Sequence, residues 1–239
     1  MARAAVASGL AALLLVGAAE ANELDRQREF DEGQRERRAA YEQSFERLRR
    51  AEPERIRAEE GRIVRNGGEL QLALEGNRKT FMHDDESQCL RGLIPARQDT
   101  CVEFLFVGHP VERFYVLRAR YFAGSDYRLV DRVTGFTTKI LAEPHFSPDG
   151  IRAVAVSSAE AFDPVGIEMW SVGSKGPTLE WQHTPEGYAL YYFVRWEGAA
   201  SVALEVSTYV DHDLRHSPAR LTLADRGWVL DGPNEASRY

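Results

Sequence analysis

Polar and apolar residues alternate over Glu69-Leu70-Gln71-Leu72-Ala73-Leu74, the period of a half-buried antiparallel strand. Farther along, Ile151-Arg152-Ala153-Val154-Ala155-Val156-Ser157 is rich in Val and small apolar residues, as a buried strand would be. Similar runs fall into three sets of four. Cys101 to Val107, Arg113 to Tyr121, Tyr127 to Asp131 and Phe136 to Leu141 form the first. Pro144 to Phe146, Ile151 to Ser157, Ile167 to Val172 and Thr178 to His183 form the second. Leu190 to Trp196, Ser201 to Val210, Arg220 to Ala224 and Trp228 to Asp231 form the third. Residues 69–83 supply the two outer strands of an incomplete fourth set. The pattern predicts an all-β domain of antiparallel, propeller-like repeats over 61–232. Its three to four blade-like sheets fall at or below the number that usually closes a propeller, so an open arc is one outcome. Residues 233–239 read as a polar tail.

Residues 22–60 carry a different pattern. Helix formers dominate, and Glu and Arg recur three and four residues apart, which supports an exposed helix. The apolar stripe is thin: Leu24, Phe30, Tyr41, Phe45 and Leu48. Pro53 is expected to end the run. The stretch reads as a charged helical arm, either a solvated spacer or a helix that self-associates through Tyr41, Phe45 and Leu48.

Two turns punctuate the strands. Asp131-Arg132-Val133-Thr134-Gly135 closes one strand. Phe146-Ser147-Pro148-Asp149-Gly150 opens the next, with Pro148 presetting φ, Asp149 able to bond back to the backbone, and Gly150 free to take φ > 0. The pair, Asp-x-x-Thr-Gly then Phe-Ser-Pro-Asp-Gly, resembles the repeat of TolB-like and WD40-type β-propellers over about residues 126–172. The resemblance implies propeller-like blades; the alternative is another antiparallel β fold. In that family the matching turn residues are structural, so no functional residue comes with them.

Residues 1–21 have the form of a secretory signal peptide. Arg3 is followed by an apolar stretch from Val6 to Val16, and Ala19-Glu20-Ala21 offers a small-x-small cleavage site. The apolar run is too short to span a bilayer, so the mature chain is expected to begin at Asn22 in the periplasm or outside the cell. The alternative is an uncleaved anchor. Of the 30 basic residues only Lys79, Lys139 and Lys175 are lysines, a skew that fits a GC-rich bacterial genome. The formal net charge of −7 gives no electrostatic reason to expect nucleic acid or an anionic membrane as partner.

Cys89 and Cys101 are the only cysteines. An even pair in an exported chain reads as a structural disulfide. No nucleophile elbow, metalloprotease helix motif or phosphate loop occurs, and no catalytic residue, cofactor or metal is assigned. Asp211, His212, Asp213 and His216 are of metal-ligand type, but they fall where a polar connection between strands is expected anyway. Tyr188, Tyr191, Tyr192, Phe193 and Trp196 crowd one strand region, as either a recognition surface or packing between sheets. The reading that results is an exported, non-catalytic β-repeat protein of the bacterial envelope that binds a protein or envelope component. The alternative is an envelope hydrolase whose site is assembled from distant loops.

Overall fold

The structure is a computed structural model. It describes residues 28, 32–33, 35–36, 38–85, 102–121, 124–158, 164–185, 189–210 and 213–233. The expected leader, the Cys89 and Cys101 pair, Tyr188, Asp211, His212 and residues 234–239 lie outside these. The chain divides into two compact units, Met1–Ser44 and Phe45–Tyr239. The described residues of the first unit are helical, Gly33 among them.

The second unit opens with helix α1, residues 45–58, and continues as antiparallel β-structure. Among the described residues, four sheets follow in chain order. The first is β1 (Ile63–Asn66), β2 (Glu69–Ala73) and β3 (Lys79–His83). The second is β4 (Glu103–Val111), β5 (Phe114–Tyr121), β6 (Gly124–Asp131) and β7 (Thr137–Ile140). The third is β8 (Pro144–Phe146), β9 (Arg152–Ser157), β10 (Gly166–Ser171) and β11 (Thr178–His183). The fourth is β12 (Leu190–Trp196), β13 (Ser201–Val210), β14 (Asp213–Ala224) and β15 (Gly227–Asp231). Each is a meander in which sequential strands pair, so each has the form of a blade.

Three apolar clusters join the sheets in sequence. Ile63, Leu70 and Leu72 pack with Phe106, Tyr115 and Leu117 between the first and second sheets. Phe114, Val116 and Leu129 pack with Ala153, Ala155 and Trp170 between the second and third. Val154, Ile167 and Met169 pack with Tyr191, Val202 and Leu204 between the third and fourth. None of these clusters joins the fourth sheet to the first. The two faces of β5 and β9 enter different clusters, which is why residues 114–117 of β5 and 153–156 of β9 are unbroken apolar runs. In the first sheet, β2 buries only Leu70 and Leu72, so its sequence alternates.

Four differences from the sequence expectation have local causes. Pro53 lies inside α1 rather than ending it, on the exposed side, where the backbone carbonyl it leaves unpaired can meet water. Residues 45–60 are not a solvated spacer: Phe45 is fully buried and Glu52 and Glu59 nearly so. The Phe45 ring lies beneath Arg118 and Arg120 of β5, which removes it from any self-association surface; Tyr41 is also buried, and Leu48 is half-buried. An additional strand, β1, pairs with β2 from Ile63 to Asn66. Finally, β14 is far longer than expected and takes Asp213 and His216 into a hairpin with β13.

The two turns do structural work. Asp131 accepts from Arg113 Nη2 at 2.7 Å and from the Val133 N–H at 2.8 Å, while Gly135 N–H returns to the Asp131 carbonyl at 2.7 Å with Gly135 at φ 82°. Arg113 also donates to the carbonyls of Gly173 and Ser174, at 2.8 Å each, on the loop between β10 and β11. The Asp-x-x-Thr-Gly turn therefore fastens the second sheet to the third. In the other turn, Ser147 Oγ donates to Asp149 Oδ1 at 2.5 Å and accepts the Arg152 N–H at 3.0 Å, with Gly150 at φ 69°.

Candidate functional site

The first strands of the second, third and fourth sheets, β4, β8 and β12, are all edge strands, and they converge on one cleft of about 530 Å³. Where β4 borders it, Gly108, His109 and Pro110 line the wall. The β4–β5 ladder loses register between Phe106 and Gly108 and again between Gly108 and Val111. β12 contributes Phe193 and Trp196, and its register also shifts between Phe193 and Arg195. Bulges bend an edge strand and re-aim its side chains. Here they occur on two of the three edge strands beside the cleft, β4 and β12.

β8 carries the opposite wall. The His145 imidazole stacks on the Phe193 ring, with centroids 3.9 Å apart and planes 6° from parallel. Trp196 Nε1 donates to the His145 carbonyl at 2.9 Å, and the indole meets Trp228 edge to face. Backbone and ring of His145 are thus both held from β12. Burial pushes the His145 imidazole below its ordinary value, and Glu143 at the cleft mouth pulls weakly the other way.

His109 is oriented from behind. Its Nδ1 pairs with the Glu59 carboxylate just past α1, its Nε2 lies 3.9 Å from Glu112, and its ring meets Tyr115 edge to face. Glu59 is 4% exposed and is also paired with Arg62 at 3.1 Å. A carboxylate at Nδ1 sets the imidazole's orientation, with Nε2 turned toward Glu112. The cleft therefore combines fixed rings, two prolines and two imidazoles.

The residues singled out in the sequence are dispersed. The turn residues Phe146 to Gly150 lie in and just after β8, and only Phe146 reaches the cleft. Tyr191 is 2% exposed, in the core between the third and fourth sheets, whereas its neighbour Tyr192 is 40% exposed on the opposite face. Consecutive strand residues point to opposite faces, so these two cannot share a surface. Trp196 belongs to the cleft.

Asp213 and His216 lie on β14, where His216 Nδ1 shares a hydrogen bond with Ser207 Oγ at 2.8 Å and lies 3.2 Å from Glu205. Among the described residues no group of three or more His, Cys, Asp or Glu is placed to hold a metal ion. Among them too, no helix is long and apolar enough to cross a membrane.

His109, His145 and Phe193 were not legible as a group. They lie on three strands far apart in sequence, and only the packing of sheets brings them together. No protein-family model matches the chain, and no curated protein or solved structure matches it.

Proposed function

We propose that this chain is a binding protein of the bacterial envelope, exported by its N-terminal leader, with blade-like sheets of the TolB-like kind arranged as an open arc. Its ligand site is the cleft between β4, β8 and β12. The observation that carries this reading is the convergence of three edge strands on walls of fixed rings, with His145 stacked on Phe193 and tied to Trp196. Preformed concave sites lined by rings, with few polar groups, suit recognition of a ligand.

The test uses Gly108, where a Cβ would meet nothing within 4 Å. Gly108→Leu adds bulk at a lining residue of the cleft where the first added atom has open space. A component of envelope extract retained by the immobilised wild-type chain and lost with Gly108→Leu supports the site. Identical retention by both chains overturns it.

A second reading draws on His109. An imidazole in a cleft, oriented by a buried carboxylate, has the form of a general base. A hydrolase reading requires turnover of envelope material that His109→Ala abolishes while ligand capture persists.

A further inference from the structure

The same cleft also restricts the kind of ligand it can hold, and the argument rests on the binding reading above. An edge strand ordinarily offers a row of N–H and C=O groups to which another strand can add. That mode is spoiled here. Pro110 and Pro144 remove donors from β4 and β8, and the bulges in β4 and β12 break the regular spacing a ladder needs.

The cleft walls favour ring packing instead. Phe193, His145, Trp196 and the exposed Pro110 line it with rings, and the orientations of the first three are fixed by stacking and by the indole hydrogen bond. The described lining residues supply polar side chains only from His109, His145 and Glu143.

A polyproline II segment meets both conditions. It has no internal hydrogen bonds to break, it loses little entropy on binding, and its rings pack into aromatic-lined grooves. Charge adds a further restriction. Glu143 is exposed at the mouth of the cleft and makes no hydrogen bond or ion pair among the described residues. Its carboxylate is available to a cation on the ligand.

We propose that the cleft takes an extended, proline-containing polypeptide segment with a basic residue beside the proline. Fluorescence anisotropy with a labelled ten-residue peptide of repeating Pro-Pro-Arg tests this on the full mature chain. Saturable binding is expected, weakened at least tenfold when Ala replaces Pro in the peptide and at least tenfold by Glu143→Lys. Gly108→Leu, folded by circular dichroism, should bind no peptide.

Equal binding of the Ala-Arg peptide would reduce the interaction to charge alone and overturn the inference. So would undiminished binding by Gly108→Leu. If no peptide binds while Gly108→Leu still loses the component captured from envelope extract, the cleft remains the binding site and only the ligand class is wrong. If neither readout responds to Gly108→Leu, the binding reading falls as well.

Discussion

Trp196 Nε1 donates to the backbone carbonyl of His145 at 2.9 Å, joining the first strand of the fourth sheet to the first strand of the third. The bond holds one wall of the cleft against the other. Trp196→Phe keeps an aromatic ring beside Trp228 but leaves the carbonyl without its donor. A loss of about 1–2 kcal/mol is expected from the lost bond and the smaller ring. Denaturant unfolding measures it, and an unchanged midpoint would show that the bond contributes nothing.

A second fastening lies at the edge of β4. Glu52 of α1 accepts the Phe106 N–H at 2.7 Å, and Asp84 accepts the Phe104 N–H at 2.7 Å. Arg65 bridges the two carboxylates at 2.7 and 3.0 Å. Side chains thus occupy edge positions that another strand would use. Glu52→Ala leaves the buried Phe106 N–H without its acceptor and takes one of two carboxylates from Arg65, which keeps Asp84, and should cost about 2–3 kcal/mol. Glu52→Gln keeps an acceptor and should cost about 1–2 kcal/mol. Equal effects of the two changes in chemical unfolding would refute a role for the retained acceptor, and a Gln variant as stable as wild type would refute a role for the charge.

Gly150 sits at φ 69° in the Ser147–Arg152 turn. Val there must enter a backbone region that a branched Cβ disfavours, at an expected cost of about 1–3 kcal/mol. Gly33→Val is the matched control, since Gly33 is helical and the change is favourable by a few tenths of a kcal/mol. The midpoint of denaturant unfolding separates the two. Wild-type stability in Gly150→Val would mean that the turn makes no demand on φ.

Acid should weaken the fold in two stages. The His145 imidazole is held below its ordinary 6.5 by burial, so the unfolded chain takes up this proton first and stability begins to fall as pH drops through that region. Burial alone would raise the Asp131 carboxyl. Hydrogen bonds from Arg113 and Val133 outweigh it and hold the carboxyl below 3.8, so its contribution is complete above that value and is lost as pH falls through the folded-state value. His145→Asn should remove the earlier stage and Asp131→Asn the later one. Urea midpoints measured from pH 8 to pH 3 would show it, and profiles parallel to wild type would refute both assignments.

Export and oxidation make a last expectation. Mass spectrometry of the exported protein should give a chain starting at Asn22, and thiol titration of the denatured, unreduced sample should find no free Cys89 or Cys101. Retained Met1, or two free thiols, would contradict the respective reading.

Strand positions were largely readable because they depend on short-range periodicity. The twelve expected runs of the three four-stranded sheets correspond to β4 through β15, and the Pro148-Asp149-Gly150 turn falls between β8 and β9. The alternation at Glu69–Ala73 and the apolar run at Ile151–Ser157 also reflected burial on one face and on both. Pro53 was misleading because local propensity takes no account of which side of a helix faces water.

What only the tertiary structure decided depends on contacts between distant residues. Glu52 meets Phe106 across 54 positions, and Trp196 meets His145 across 51. Tyr191 and Tyr192 look alike in sequence, yet sheet packing buries one and exposes the other. The cleft belongs to this second class. Periodicity determines where a strand runs and which of its faces is apolar; whether three edge strands meet, and at which bulges, is set by the way whole sheets stack.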